Sequence, residues 1–533
     1  MSDPRQFINT YTDTRGLSPE SPTFTQALIK GMATGGGLFV PRVLPRLSLD
    51  EVVGLAQLPY AARAASIYRR FGVDLPSTTI DSLMAQAYGD NFDTPQIAPV
   101  VEVAPATYVL ELWHGPTSAF KDMALQCLPL FFSAAIEAQQ ARLSTRPTND
   151  DSAEGEQAAD DYLVVVATSG DTGKAALEGF RDLPHTNIVV FYPHGGVSDI
   201  QFRQMATQQG NNVGVFGVEG NFDDCQGAVK AAFCDGAFNE RLARERRLRL
   251  SSANSINWGR LLPQIVYYAS AYTELVQRGA LRAGEELEVC VPTGNFGNIL
   301  AAWYAKALGV PLGRLLCASN ENRVLTDFLN TGSYDIRTRD FKLTPSPSMD
   351  ILISSNLERQ LFEVSGRDTE RICSWMDNLR ETRCFSVDKE TFAALREDFS
   401  ADWVSNDDSL ATIREVRDEH GYLLDPHSAV AWKVASRLRD GGPVLVVATA
   451  HWSKFGADVY RALNKIAAGE PLPEKAASLS GPALLKLLAA DYDAGAIPAA
   501  LSALEDAPLR FTQICPGTVE GVEGALDDWL SLR

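Results

Sequence analysis

At 533 residues the chain exceeds what a single hydrophobic core supports, so two or three domains are expected. The formal net charge of −19 argues against a general nucleic-acid or anionic-membrane surface, which needs clustered lysine and arginine, and it confines any anionic ligand to a local pocket. Scattered cysteines without a Cys-x-x-Cys pair, an N-terminus "MSDPRQFINTYTDTRG" without a secretory apolar run, and no stretch of about twenty apolar residues predict a reduced, cytoplasmic protein that does not span a membrane. The histidines, as in "DPHSAV" and "ATAHWSKF", lack a ligand-like grouping with cysteines or carboxylates; no metal is expected, and they read as structural.

In chain order, residues 1 to about 100 read as mostly helical, with "FTQALIKGMATGGGLFVP" a helix ending at a glycine cluster, and form a separate N-terminal unit. "ELWHGPTSAFKDMALQ" then sets Lys121 between Phe120 and Asp122 after a Gly-Pro turn; on its own this is a solvated lysine opening a helix. Residues 143 to 161 are polar and acidic, an inserted loop. A repeated grammar follows: "YLVVVAT" runs through "SGDTG" into "KAALEGF", "ELEVCVP" runs through "TGNFGN" into "ILAAWYAKAL", and "GPVLVVATAHWSKF" is a further buried strand. Continuous Val/Leu/Ile runs alternating with helices predict parallel sheets covered on both faces, with ligands at the carboxyl ends of the strands. From about 470 onward the sequence suggests short packing helices with no chemistry.

A glycine-rich turn feeding a helix points unpaired N–H groups outward at the positive end of the helix dipole, a nest for phosphate or carboxylate. There are two such turns here, and each alone is equally well explained as a turn. "TSGDTGKAA" is not a P-loop, since Thr168 and Ala175 stand where that motif needs glycine and Ser/Thr. "TGNFGN" lacks the dinucleotide spacing. A reactive lysine needs an electrophilic carbonyl, and pyridoxal phosphate supplies both that carbonyl and a phosphate for one nest, leaving the other for an amino-acid carboxylate. The residues favour a pyridoxal-phosphate enzyme without selecting its reaction.

"YTDTRG" with "GGGLFVP", "HGPTSAFKDMALQ", "ATSGDTG", "NSINWGRLLPQIVYY", "PTGNFGNI", "PSMDILISSNLER", "DPHSAV" and "ATAHWSKF" together resemble, in order and over most of the chain, the threonine synthase family in its longer yeast and bacterial form. The resemblance implies an α/β, tryptophan-synthase-β-like pyridoxal-phosphate fold (fold type II): two open, twisted, mostly parallel sheets covered by helices, plus the mainly helical N-terminal unit. It implies a division into 1–105, a smaller α/β domain 106–260, a larger one 261–470, and a helical segment 471–533.

By the same resemblance Lys121 matches the Schiff-base lysine and Phe120 the apolar residue before it. Gly294, Asn295, Phe296, Gly297 and Asn298 match the cofactor-phosphate cradle, and Thr449 the hydroxyl facing the pyridine nitrogen. Ser169, Gly170, Asp171 and Thr172 match the substrate-carboxylate turn; Asn254, Ser255 and Arg260 match the site for the substrate phosphate. The alternative for Arg260 is that it opens a helix and pairs with an acid, which would leave Lys174 and Lys454 as the next phosphate candidates. Asp171 departs from the asparagine of many relatives on this fold, and is expected to be either protonated or turned away from the cofactor's phenolate. Lys174 reads as a helix-surface lysine, with an extra cation near substrate as the alternative, and the tryptophan of "HWSKF" as altering loop packing. The implied reaction converts O-phospho-L-homoserine and water to L-threonine and phosphate in a monomer or homodimer. The alternatives are a phospho-lyase giving 2-oxobutyrate, phosphate and ammonia, or a catalytically inactive regulatory homologue.

Overall fold

The computed structural model describes residues 7–144, 161–492 and 494–533; the expected insertion at 143–161 lies almost wholly outside the described residues. Two sheets form the body. The larger has six strands in the order Phe399–Trp403, Leu312–Ser319, Leu287–Pro292, Val444–Ala448, Thr107–Glu111, Val100–Ala104. All neighbours are parallel except the last pair. The smaller has five parallel strands, Ile514–Cys515, Val213–Val218, Thr186–Pro193, Asp161–Ala167 and Leu248–Ser251.

The continuous apolar runs are explained by two-sided burial. In "VLVVA", Val444, Val446 and Ala448 pack with Val430, Ala431 and Val434 of the helix Pro426–Leu438, while Leu445 and Val447 join the core on the other face. The smaller sheet repeats this, with Leu163, Val165, Val189 and Phe191 on one side and Val164, Val166, Ile188 and Val190 on the other. Alternating side chains thus meet helices on both faces, as parallel sheets require.

Three features differ from the sequence reading. Thr107–Glu111, expected to open the block 106–260, instead pairs with Val444–Ala448 in the larger sheet, because crossover connections and not chain adjacency set the order of parallel strands. The segment after 470 is not only helical: Ile514–Cys515 extends the smaller sheet beside Gly217 and Val218, and Val519–Ser531 covers that sheet, with Trp529 lying where Gly214 leaves room for its indole. The N-terminal unit is largely helical, with Tyr11–Asp13 and Phe39–Pro41 as a two-stranded ribbon, but it is not separate in packing. Tyr11, Phe24 and Tyr68 share one core with Trp258 and Phe131. Its first helix, Phe24–Lys30, stops at Gly31 in a positive-φ conformation, before the glycine cluster. Among the described residues no helix is long and apolar enough to cross a membrane.

Candidate active site

Lys121 sits at the carboxyl end of the adjacent strands Thr107–Glu111 and Val444–Ala448. The Phe120 N–H donates to the Thr449 carbonyl at 2.7 Å and the His451 N–H to the Ser118 carbonyl at 3.1 Å, so residues 118–120 run against 449–451. This pairing carries Lys121 and Thr449 to the same place. Asp122 braces the turn by accepting from the Thr117 N–H (2.8 Å) and hydroxyl (2.7 Å), and a Cβ on Gly115 would fall 2.5 Å from the Asp122 Cβ. Lys121 is not a surface residue: it is 8% exposed. Its Nζ donates to the Ser348 hydroxyl at 3.1 Å and reaches Asp171 Oδ2 at 3.5 Å. Burial lowers its pKa, Lys454 and Arg260 push the same way, and Asp171 opposes them. An amine with this balance loses its proton more readily than a solvated lysine.

The turn Ser169–Thr172 feeds the helix Asp171–Phe180. Gly170 has φ +131° and its Cβ would lie 2.4 Å from the Gln201 side chain, so only glycine fits. Asp171 points into the site. It faces Lys121 and accepts from Gln201 Nε2 at 3.0 Å and Lys454 Nζ at 2.9 Å. Burial alone would raise its pKa, but Lys454 and Lys121 hold it well below the usual carboxylate range. Lys454 is itself buried and also donates to the Thr117 carbonyl and Gln204 Oε1, each at 2.9 Å. Lys174 is half-buried, not a surface lysine, and its Nζ pairs with Glu178 at 2.9 Å. Trp452 packs in a cluster with Ile200, Val459 and Leu485.

The loop Gly294–Asn298 ends the strand Leu287–Pro292 and starts the helix Gly297–Leu308, with Phe296 in the left-handed region at φ +61°. A second loop lies along it. Ser354 Oγ donates to the Gly294 carbonyl at 2.8 Å, Asn356 Nδ2 and N–H donate to the Asn295 carbonyl, and a Cβ on Gly294 would fall 2.8 Å from the Ser348 carbonyl oxygen. At Gly297 a Cβ would find nothing nearer than Asn356 Nδ2 at 3.5 Å. Asn298 Oδ1 accepts both the Tyr267 and Tyr268 hydroxyls at 2.5 Å, while its buried Nδ2 finds no partner among the described residues. A helix start with free N–H groups, an orphaned amide donor and an open glycine face fit a phosphate. Together with the buried amine of Lys121, these residues fit pyridoxal phosphate.

Arg260 occupies the first turn of the helix Trp258–Gln277, whose cap Asn257 accepts from the Gly259 N–H at 2.9 Å. The residue is 4% exposed and its guanidinium donates from Nη1 to the Ala253 carbonyl at 2.7 Å, while Nε has no partner among the described residues. Burial pushes its pKa down to about 10. Among the described residues no carboxylate lies within ion-pair distance of it, so the acid-pairing alternative fails. Asn254 is exposed and Ser255 half-buried, farther out on the same segment.

Residues the sequence reading did not single out complete the site: Ser348 against Lys121, Gln201 against Asp171, Gln204 against Lys454. Arg359, wholly buried, donates to the Phe39 carbonyl (3.0 Å), Asn356 Oδ1 (2.7 Å) and the Ile256 carbonyl (2.5 Å). It ties "GGGLFVP", "NSINWGR" and "PSMDILISSNLER" into one wall. Ser348 and Arg359 lie in a quoted motif and Gln201 and Gln204 in none, and which side chain turns inward is a property of the packed fold.

Residues 94–450 match the family described as Pyridoxal-phosphate dependent enzyme, residues 10–88 match Threonine synthase N terminus, and residues 428–525 match Threonine synthase, C-terminal. The chain is 43% identical over 471 residues to "Threonine synthase-like 1" of Homo sapiens, which spans 85% of this chain but 61% of that protein, so it corresponds to about three fifths of that relative's length. It is 37% identical over 455 residues to the threonine synthase of Pseudomonas aeruginosa, covering 85% of this chain and 90% of that protein. The crystal structure of pyridoxal-phosphate-bound threonine synthase from Brucella melitensis is similar with a TM-score of 0.82 at 34% identity, covering 98% of this chain and 99% of that one; the yeast threonine synthase structure gives 0.82 at 31%, with 98% and 99% covered. Three family matches in order, and full-length similarity to solved threonine synthases, make this chain a member of the threonine synthase family of pyridoxal-phosphate-dependent enzymes, with their fold type II architecture.

Proposed function

We propose that the protein is a threonine synthase, converting O-phospho-L-homoserine and water to L-threonine and phosphate. The observation that carries the phosphorylated substrate is Arg260: a buried guanidinium with no carboxylate partner among the described residues, close enough to Lys121 for its charge to depress the lysine. A buried cation left unpaired is costly, and a phosphate dianion is the ligand that offsets it, through the planar fork arginine offers.

Bound pyridoxal phosphate supplies the aldehyde for the substrate amine and the electron sink for proton loss at carbon. The chain's residues do the rest. The Gly294–Asn298 loop holds the cofactor phosphate, Thr449 offers a hydroxyl to the ring nitrogen, and Phe120 packs beside the lysine. The Ser169–Thr172 turn takes the substrate carboxylate, and Asn254, Ser255 and Arg260 its phosphate. Lys121, eased toward the neutral amine by burial, takes the Cα proton at Nζ, takes one Cβ proton as phosphate leaves Cγ, returns a proton to Cγ to make the methyl group before water adds its hydroxyl at Cβ, and returns a proton to Cα at the end.

The alternative outcome is elimination without water addition, giving 2-oxobutyrate, phosphate and ammonia. Incubating the holoenzyme with O-phosphohomoserine and separating threonine from 2-oxobutyrate decides between them. Threonine with equimolar phosphate, lost in Lys121→Ala, is expected; 2-oxobutyrate as main product selects the lyase, and no turnover rejects both.

A further inference from the structure

Ser348 is the meeting point of three parts of the site. Its hydroxyl accepts from Lys121 Nζ at 3.1 Å and lies 3.4 Å from Asp171 Oδ2, as a donor to that carboxylate. Its carbonyl fills the space that Gly294 leaves. Its own N–H donates to His427 Nε2 at 3.1 Å. That bond fixes the imidazole tautomer: Nε2 must present its lone pair, so the proton is on Nδ1, which donates to Asp425 Oδ1 at 2.8 Å.

Asp425 is the N-cap of the helix Pro426–Leu438 and also accepts the N–H groups of His427 and Ser428 and the Ser428 hydroxyl, so its carboxylate is held from four directions. Asp425 is 1% and His427 2% exposed, and the Phe455 ring closes over the imidazole at 4.8 Å. Two residues on from Ser348, Asp350 accepts from Asn320, Asn322 and Thr344. The Ser348 peptide is therefore clamped from both sides. A loop wall with no other duty would not need a buried aspartate–histidine pair aimed at the peptide whose hydroxyl accepts from the lysine.

We propose that Ser348 is the positioning residue for Lys121, its hydroxyl the resting acceptor of the lysine amine between proton transfers, and that the Asp425–His427 pair acts through the Ser348 peptide to hold it there. This rests on the reading of Lys121 as proton carrier. The amine needs such a station because it must serve more than one carbon in sequence, and a swinging lysine without a fixed acceptor samples rotamers in which no transfer geometry exists. The charged groups facing Lys121 are Asp171, Lys454 and Arg260, and those facing His427 are Asp425, Asp350 and Asp458.

The test compares Ser348→Ala, Ser348→Thr, His427→Gln and His427→Leu with the parent holoenzyme, with Lys121→Ala as control. Ser348→Ala is expected to lower kcat about 10- to 100-fold with KM nearly unchanged, since geometry and not binding is lost. Ser348→Thr, which keeps the hydroxyl, and His427→Gln, whose side-chain oxygen can accept the Ser348 N–H, should recover most of kcat; His427→Leu should not. A readout independent of turnover is the pH dependence of Lys121 labelling by fluorodinitrobenzene in full-length protein stripped of cofactor, quantified by mass spectrometry. Loss of the acceptor should move its midpoint to lower pH by about half a unit or more, because the hydroxyl stabilises the ammonium form. Unchanged kcat and labelling midpoint in Ser348→Ala, with Lys121→Ala inactive, overturn the positioning role alone. Activity surviving in Lys121→Ala overturns the underlying reading instead.

Discussion

Lys454 and Asp171 form an ion pair at 2.9 Å in which the lysine side chain is 0% and the aspartate side chain 3% exposed. With the Thr117 carbonyl and Gln204 as its other acceptors, Lys454 has a partner for each of its three N–H bonds. Lys454 thus compensates the Asp171 carboxylate independently of Lys121, which suits the proposed role of Lys121 as an amine that cycles its proton.

The pair predicts a clear non-additivity. Lys454→Met leaves Asp171 buried with Lys121 as its remaining cation and should cost about 3–5 kcal/mol of stability, the usual penalty for stranding one half of a buried pair. Asp171→Asn in the same chain should recover most of it, because the stranded charge is gone. Urea unfolding of the two single variants and the double variant measures this; additive losses would mean that the two residues are not coupled in solution.

The two glycines of the cradle should respond differently. A Cβ at Gly294 meets the Ser348 carbonyl oxygen at 2.8 Å and Met349 Cα at 3.2 Å, both backbone, whereas at Gly297 the nearest atom is Asn356 Nδ2 at 3.5 Å. Gly294→Ala is expected to lower thermal stability and disturb the Ser348 loop, and Gly297→Ala to keep stability while weakening cofactor binding, since the methyl occupies the approach of the phosphate. Thermal unfolding beside a pyridoxal-phosphate titration separates the two. Equal effects in both assays would mean that Gly297 is only a turn former.

A third prediction concerns pH. Burial, with the charge of nearby His114, pushes the His451 imidazole down to about 3, and the Ser453 N–H donates to its Nδ1 at 3.3 Å, consistent with the neutral ring. In the unfolded chain the group titrates near 6.5. As pH falls below about 6.5 the unfolded state takes up a proton that the folded state refuses, so stability falls at about 1.4 kcal/mol per pH unit from this group. His114 does not cancel it. Although burial lowers its pKa, Glu111 and Asp93 outweigh that and raise it, so its contribution is fully present below its unfolded pKa and is lost only as pH rises. His451→Asn should flatten the stability slope between pH 6.5 and 5 by about one proton. An unchanged slope would show that the folded protein protonates His451.

How far the sequence carries is visible in these residues. The two glycine turns were legible because each is a local pattern: a strand, a tight turn and a helix start within a dozen residues. Lys121 on its own read as a solvated lysine, and only the resemblance singled it out, because its burial comes from the packed fold. The charge state of Asp171 was not, because the cation that decides it, Lys454, comes from a loop at the end of another strand of another sheet. Arg359 and His427 escaped for the same reason, since their bonds go to backbone groups of distant segments, which leave no compositional trace. The strand Ile514–Cys515 is two residues long, too short to show alternation, and exists only because Val213–Val218 offers it an edge.

Arg260 gives the sharpest separation of function from stability. Its loss removes one bond to a backbone carbonyl and relieves a buried guanidinium that has no carboxylate partner among the described residues and whose Nε is unsatisfied. Arg260→Leu should therefore fold at least as stably as the parent, because an apolar side chain replaces a charge whose burial was uncompensated. The catalytic consequence runs the other way. If the guanidinium meets the substrate phosphate, kcat/KM for O-phosphohomoserine should fall by roughly 2–4 kcal/mol, with KM raised and phosphate release slowed. The pH profile adds an independent sign: Arg260 depresses Lys121, so its removal should raise the pKa of the lysine amine released by substrate and move the acidic limb of kcat to higher pH. The cofactor's absorption band should persist, since nothing that anchors it has been touched. Wild-type kinetics in Arg260→Leu would remove the phosphate from this position. The next candidates would be Lys454, whose three N–H bonds are engaged, and Lys174, paired with Glu178, each of which would have to exchange a protein partner for the phosphate.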